Sequence, residues 1–486
     1  MKQYLRVLAL AVVLFATTAI KAQVQVRYLD EVFANVTVDT SVVYAQNYEY
    51  YTNFNTLVPL KMDVYRPAGD TATNRPVVLL SHNGSFLPEN LTAALLNFCF
   101  KNRKDSSLVE LCHRFARRGY VAISFSYRLG WNALASDQET RAKTIIQAVY
   151  RGMQDAKSLV RYLKDDYANN SNQWGIDTGK IVIGGTNSGA YIALAAGALN
   201  DTSEINAPKF VGTGGAFIDQ DTLGDFDGFG GTINHDNYPG ISSKFQCVLA
   251  LGGAVGDTSW IQAGEPPVLG FHGVNETLTP YNTNIVVTST GQPVVEVSGA
   301  GDYMPYVEAL GNNAAFSPNN FADGPPNRQG GVSTVPVQGL YPFYGVSFEP
   351  WNWYSCTMPI NPNASKTRAM AYIDTIMGYA APRLYKLLIN PSYTGPSSIH
   401  EVKGTIEMQL FPNPTNTELN IMANTLQRPV SEVRMFDLTG KLVKQVNNIN
   451  GYNHTIYVGD LTTGVYQVFV KLTDGTYATR KVSVER

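Results

Sequence analysis

The chain has 486 residues, 44% of them hydrophobic and 16% charged, enough sequence for one large core and a smaller module. Its 37 basic and 39 acidic side chains leave a formal net charge of -2, which excludes the basic footprint of a nucleic-acid or anionic-membrane binder. The low charge and the 28 tyrosines suit an extracellular protein.

At the start of the chain, Lys2 and Arg6 precede an apolar run from Val7 to Phe15, followed by small residues up to Ala22-Gln23. A basic start, a short apolar core and a small-residue cut site read as a secretory signal peptide over residues 1–22. No stretch reaches the roughly 18 apolar residues that a membrane span needs, so no transmembrane helix is expected. Export permits disulfides. Cys99 and Cys112 flank the charged loop Lys101 to Asp105 and are expected to bridge. Cys247 and Cys356 either pair with each other or stay as buried thiols. None of the four has Cys-x-x-Cys spacing, so zinc is not expected.

Residues 24–66 alternate apolar and polar side chains, as antiparallel strands do. Val77-Val78-Leu79-Leu80 and Val121 to Phe125 are continuous apolar runs, expected of strands covered on both faces. Between them Leu108 to Arg118 is amphipathic, with Gly119 as a helix stop. From Ala142 to Leu163 apolar residues recur at three-to-four spacing, predicting a long helix. Ile181-Val182-Ile183 then leads through Gly184-Gly185-Thr186-Asn187-Ser188-Gly189 into a helix from Tyr191 to Leu199. That is the strand–turn–helix of a nucleophile elbow, Gly-x-Ser-x-Gly, with Gly185 and Gly189 on the glycines and Asn187 on the serine. Cys247 to Leu251 and Val268 to Phe271 supply two later strands, and Thr367 to Leu388 a closing helix. The fold class is therefore α/β, a mostly parallel sheet with helices on both faces. Stretches 200–243 and 280–345 are too long for ordinary connections and read as lid-like insertions over the sheet's C-terminal edge. Beyond a Pro-, Gly- and Ser-containing linker, short alternating strands from Glu418 to Val470 predict a small C-terminal all-β sandwich. The resulting division is a signal peptide (1–22), an α/β domain (23–390), a linker (391–407) and a β domain (408–486).

Two resemblances add to this reading. Phe411-Pro412-Asn413-Pro414, Leu419-Asn420-Ile421, Phe436-Asp437-Leu438-Thr439-Gly440, Leu461 to Tyr466 and Lys481-Val482-Ser483-Val484 resemble the type A C-terminal sorting domain of type IX secretion cargo in Bacteroidetes. That resemblance implies the secretion machinery as a partner, removal of the tail, and release or attachment at the outer cell surface. Residues 55–388 resemble the α/β-hydrolase fold near the carboxylesterase and feruloyl-esterase-like branch. The matching residues are His82-Asn83-Gly84-Ser85-Phe86, Gly119-Tyr120, Ser126-Tyr127-Arg128, Gly175-Ile176-Asp177 and His272-Gly273 with Glu276.

Ester hydrolysis on that fold needs a serine, a histidine base, an acid to orient it and backbone N–H donors for the oxyanion. Asn187 carries no nucleophile at neutral pH, and Ser188 is the one nearby hydroxyl. By the family pattern Glu276 stands at the acid, either in that role or as a loop salt bridge. Phe348, in Gly345 to Trp351, stands at the base, and after His272 only His400 and His454 follow, both outside the hydrolase-like region. His82-Asn83-Gly84 resembles an oxyanion loop, while His82 and His272 themselves read as structural. Asp219, Asp221, Asp225, Asp227 and Asp236 form either a calcium-binding or a solvated loop. The aromatic run Tyr341, Phe343, Tyr344, Phe348, Trp351, Trp353 and Tyr354 is either core or a stacking surface. The expectation is a secreted pseudo-enzyme that binds, adheres or self-assembles with surface partners, needing no cofactor. The alternatives are a divergent ester hydrolase working through Ser188 and a metal-dependent hydrolase built on the aspartates.

Overall fold

A computed structural model describes residues 25–88, 102–288, 290–321, 337–344, 346–353, 365–395, 408–423, 429–437, 441–473 and 477–485. The expected signal peptide, Cys99, Cys356, His400, Tyr354 and most of the expected linker lie outside them. Eight strands build the main sheet: β1 (Val36–Tyr48), β2 (Leu57–Pro67), β3 (Arg75–Ser81), β4 (Val121–Phe125), β5 (Ile176–Thr186), β6 (Cys247–Leu251), β7 (Val268–Gly273) and β8 (Leu340–Phe343). Their order is β1-β2-β4-β3-β5-β6-β7-β8. The first two pairings, β1 with β2 and β2 with β4, are antiparallel, and the remaining five are parallel.

β3, β4 and β6 are buried at every position, which explains their unbroken apolar sequences. The helices α2 (Gln138–Asn169) and α3 (Ser188–Ala198) pack on one face of the sheet, while α1 (Ser106–Arg118) and α4 (Lys366–Leu388) pack on the other. α2 runs a turn or more beyond its predicted range at both ends. Asp137 caps its start by accepting from the Thr140 N–H at 2.7 Å. Because β4 and β5 lie on opposite sides of β3, the chain's direction of travel switches there, and such switch points place loops around a crevice at the strands' C-terminal ends. The loop after β3 and the elbow after β5 meet at that crevice.

Three expectations are corrected. β8 lies inside 280–345, so that stretch is partly sheet; Pro342 disguised it, and the strand tolerates proline because it is the sheet edge. Stretch 200–243 supplies none of the residues that line the cavity at the crevice. It lies along α2, where Gln154 and Arg161 bind the backbone carbonyls of Leu223, Asp225, Asp227 and Asn237. Third, no Cys99–Cys112 bridge is made. Cys112 is a free thiol on the inward face of α1, fully buried with Leu108, Leu111 and Phe115, and burial raises its pKa well above the usual thiol range. Cys247 is likewise a free buried thiol, within β6.

The tail forms a three-stranded and a four-stranded antiparallel sheet around its own core, with Leu419, Ile421, Val433, Met435, Val468 and Val470 inside. No helix among the described residues is long and apolar enough to cross a membrane.

A buried ion pair ties the loop after β4 to α2. Arg128 Nε donates to Asp155 Oδ1 at 2.8 Å, the Arg128 N–H donates to Oδ2 at 2.7 Å, and the two side chains are 1% and 0% exposed. Removing one partner strands the other charge in a dry interior. Asp155→Ala should therefore lower stability by about 3–5 kcal/mol, read as a fall in the urea midpoint at unchanged m-value.

Candidate functional site

At the end of β5 the chain turns at Asn187, whose φ of 41° and ψ of -106° lie in a region few side chains adopt, and α3 begins at the next residue. Asparagine tolerates positive φ better than most residues, which suits it to this turn. The Asn187 N–H donates to the Leu251 carbonyl at 2.8 Å. Gly185 and Gly189 are required by crowding. A methyl group at Gly189 would collide with the Ser81 backbone, and one at Gly185 with Gly189 itself. The Ser81 hydroxyl fastens the two sides, lying 3.0 Å from the carbonyl oxygens of both Gly184 and Gly189.

The Asn187 side chain is buried, and its Nδ2 donates to Glu276 Oε1 at 3.3 Å. Glu276, itself buried, follows β7. In a working triad an imidazole stands between acid and nucleophile, with a hydrogen bond of about 2.6–3.2 Å on either side of the ring. Here the carboxylate and residue 187 touch directly.

The loop after β3 is engaged with its own side chain. Asn83 Oδ1 accepts from the Gly84 N–H at 2.6 Å and from the Ser188 hydroxyl at 3.1 Å, with the Ser85 N–H at 3.4 Å. Asn83 Nδ2 donates to Glu349 Oε1 at 2.5 Å, and Glu349 Oε2 accepts from Asn352 Nδ2 at 3.0 Å. This link from the oxyanion-like loop to the segment after Phe348 was not read from the sequence. Its one signal there was a glutamate set among aromatic residues. Ser85 and Phe86 have φ of 53° and 57°, so the loop is held in a strained shape. His82 is buried, hydrogen-bonds the Asn83 carbonyl through Nδ1 and stacks on Tyr127 at 4.6 Å between ring centroids. The Tyr127 hydroxyl donates to the His82 carbonyl at 2.9 Å and lies 3.1 Å from Ser188 Oγ. Burial raises the Tyr127 phenol above its usual range. Ser188 thus sits between a phenol and a carboxamide, neither of which takes up a proton at neutral pH.

Above this floor is a cavity of about 520 Å³. Asn187, Ser188, Asn83 and Phe348 line its base, α2 contributes Ile145 and Val149, and the paired strands Asn284–Val287 and Pro293–Gly299 roof it. None of the described histidines lines it. Of the described members of the aromatic run, Tyr341, Phe343 and Trp351 pack in the core beneath α4 with Phe271 and Tyr379, and Phe348 alone lines the cavity.

The aspartates of 219–236 do not converge, and no group of metal-binding side chains occurs among the described residues. Asp219 caps a short helix through the Asp221 N–H (3.2 Å), and Asp225 accepts from the N–H groups of Asp227 and Phe229, both at 2.9 Å. Asp227 accepts from Ser243 Oγ at 2.6 Å, and Asp236 from the Gly230 N–H at 2.8 Å.

His272 has a structural setting. It is fully buried, its Nε2 binds the Thr279 carbonyl at 3.0 Å, and burial lowers its pKa to about 4. Its neutral form is the folded form, so its contribution to stability is complete above the unfolded value near 6.5. It is lost as pH falls from there towards 4, because the unfolded chain takes up the proton first. Urea melts between pH 7 and 4 should show about 3 kcal/mol of destabilisation from this group, absent in His272→Gln.

Residues 62–289 match the family model BD-FAE, and residues 409–485 match the secretion system C-terminal sorting domain. No curated protein sequence matches the chain. Similar solved structures include Thermogutta terrifontis esterase 2 phosphorylated by paraoxon, at 17% identity and a TM-score of 0.38, covering 75% of this chain and 98% of that one. The propionate-bound form of the same esterase gives 17% identity and a TM-score of 0.38, covering 77% and 100%. Likeness at this level says nothing about chemistry, and the fold rests on the strand order and the family match. The chain carries an esterase-like α/β-hydrolase domain of the BD-FAE type followed by a type IX secretion sorting domain, which marks it for export to the cell surface or release.

Proposed function

We propose that this is an exported hydrolase-fold protein that binds a ligand in the former ester-cleaving cleft without serine hydrolysis. Residues 1–22 act as signal peptide, 23–390 as the binding domain, 391–407 as linker and 408–486 as the sorting tail. The observation that carries the reading is the direct contact of Asn187 Nδ2 with Glu276 Oε1 at 3.3 Å. It joins the acid position to the nucleophile position and leaves no place for an imidazole between them. Two further features support it. Phe348 holds the base position at the cavity wall, and the Gly84 N–H is already bound to Asn83 Oδ1. Loss of a triad serine or histidine alone costs on the order of 10⁶ in turnover. Between ligand binding and assembly with other surface proteins, the cavity over the elbow favours ligand binding.

A second reading, a divergent ester hydrolase, is favoured by the esterase-like family match and the intact elbow geometry. It would need Ser188 as nucleophile.

A fluorophosphonate probe separates the two. The mature protein should not label, and Asn187→Ser alone should stay unlabelled because no base is present. Asn187→Ser with Phe348→His should label, since a positioned base contributes ~10²–10⁴-fold. Labelling of the unaltered protein that Ser188→Ala abolishes would establish the second reading instead.

A further inference from the structure

The buried arginine of α2, Arg151, carries an inference independent of what the cleft over Asn187 does. We propose that Arg151 is the core of a binding site for a small monovalent anion of halide size, held between α2 and the loop of residues 49–56.

Arg151 is 1% exposed. Its Nη2 donates to the Gly130 carbonyl at 2.6 Å, while Nε and Nη1 are buried with no hydrogen-bond partner among the described residues. The adjoining Arg128 is fully engaged. Both oxygens of Asp155 bind it, and its other N–H groups reach Asn234 Oδ1 at 3.3 Å, Gln154 Oε1 at 3.1 Å and the Arg151 carbonyl at 3.1 Å. Asp155 attracts Arg151 as well, but two guanidiniums and one carboxylate leave one positive charge over. Burial, and then the charge of Arg128, lower the pKa of Arg151 to about 9, so it remains a cation at neutral pH. A charge in a dry interior is costly without a counter-charge, and a monovalent anion supplies the one that is lacking.

The surroundings limit its size. The guanidinium carbon lies 5.4 Å from the Tyr50 ring centroid and 5.5 Å from that of Phe54, and the two rings meet edge to face at 5.6 Å. These rings attract the cation but bring no charge to neutralise it. A methyl group at Gly130 would fall 2.5 Å from atoms of Tyr50, so that ring lies against the Gly130 backbone. Surroundings this close select a halide over a phosphate, a sulfate or a sugar acid, and a divalent oxyanion would bring one charge too many. The loop is closed on itself by the Glu49 N–H to the Thr56 carbonyl, the Asn53 N–H to that of Tyr50 and the Phe54 N–H to that of Glu49, each at 3.0 Å. The Gly130 N–H donates in turn to the Phe86 carbonyl at 2.7 Å. An anion that fixes Arg151 therefore also steadies, through Gly130, the loop after β3.

Bromide is the probe, used on the mature protein, because it scatters anomalously and has the proposed size and charge. Replacing gluconate by bromide at constant ionic strength should raise the melting temperature saturably, by about 2–4 °C. Arg151→Met, which removes the charge and keeps much of the bulk, should lose that rise. Crystals of the unaltered protein soaked in bromide should show an anomalous peak within hydrogen-bonding reach of Arg151 Nε or Nη1. That measurement decides the matter if the variant does not fold. No peak there, or an equal bromide response in Arg151→Met, would overturn the proposal. So would a peak without a saturable response in solution, which is binding at crystal concentration only.

Discussion

The contact on which the site depends is backbone against backbone, the end of β3 at Ser81 lying against the first turn of α3 at Gly189. No side chain fits between them, so glycine is required there and at Gly185, and the Ser81 hydroxyl bonds across the join. With strand and helix this close, the residue between them must turn at positive φ. That single constraint places residue 187 at the crest of the sheet and brings the loop after β3 beside it. The shape of the site is thus a property of the backbone, and any residue that tolerates the turn can occupy it.

What occupies it has drawn the polar groups into contact with one another. Asn187 binds Glu276, Asn83 binds its own loop and Ser188, and Glu349 holds Asn83 and Asn352. Buried polar groups are costly when unpaired, so these mutual bonds stabilise the floor while leaving fewer donors facing the space above. The cavity nonetheless stays open. Its roof is anchored to α2 by bonds from Gln138 and Arg141, and most of its wall residues are apolar. The floor is thus a set of polar groups bonded to one another beneath a largely apolar chamber.

The sheet was legible wherever strands are covered on both faces, because Val77 to Leu80, Val121 to Phe125 and Cys247 to Leu251 have no polar side to show. The helix α2 was legible by its period, though not in its ends, which are polar and set by the Asp137 cap. β8 was hidden by Pro342, a residue that argues against a strand anywhere but at an edge, and only the assembled sheet shows that this strand is the edge. The expected disulfide failed for a related reason. Spacing along the chain put Cys112 near Cys99, but helix α1 turns the Cys112 thiol inward to the core. Likewise the aspartates of 219–236 look like an ion site by spacing, whereas the folded loop gives Asp219, Asp225, Asp227 and Asp236 each to a nearby N–H or hydroxyl.

By itself the sequence determined which chemical groups are available: an asparagine at the crest of the elbow, no histidine downstream within the hydrolase-like region, and a tail with the order of motifs that marks export. These are facts of identity and spacing, and folding cannot add a missing side chain. Only the tertiary structure decided where the remaining groups point. Glu276 is 89 positions from Asn187 and Glu349 is 266 from Asn83. Contacts at such separations depend on how β7 and the segment after β8 are placed relative to β5 and β3 in the assembled sheet, and nothing local encodes them. The cavity is of the same kind, for its walls come from α2, the elbow and a distant pair of strands, and it exists only once these have packed together.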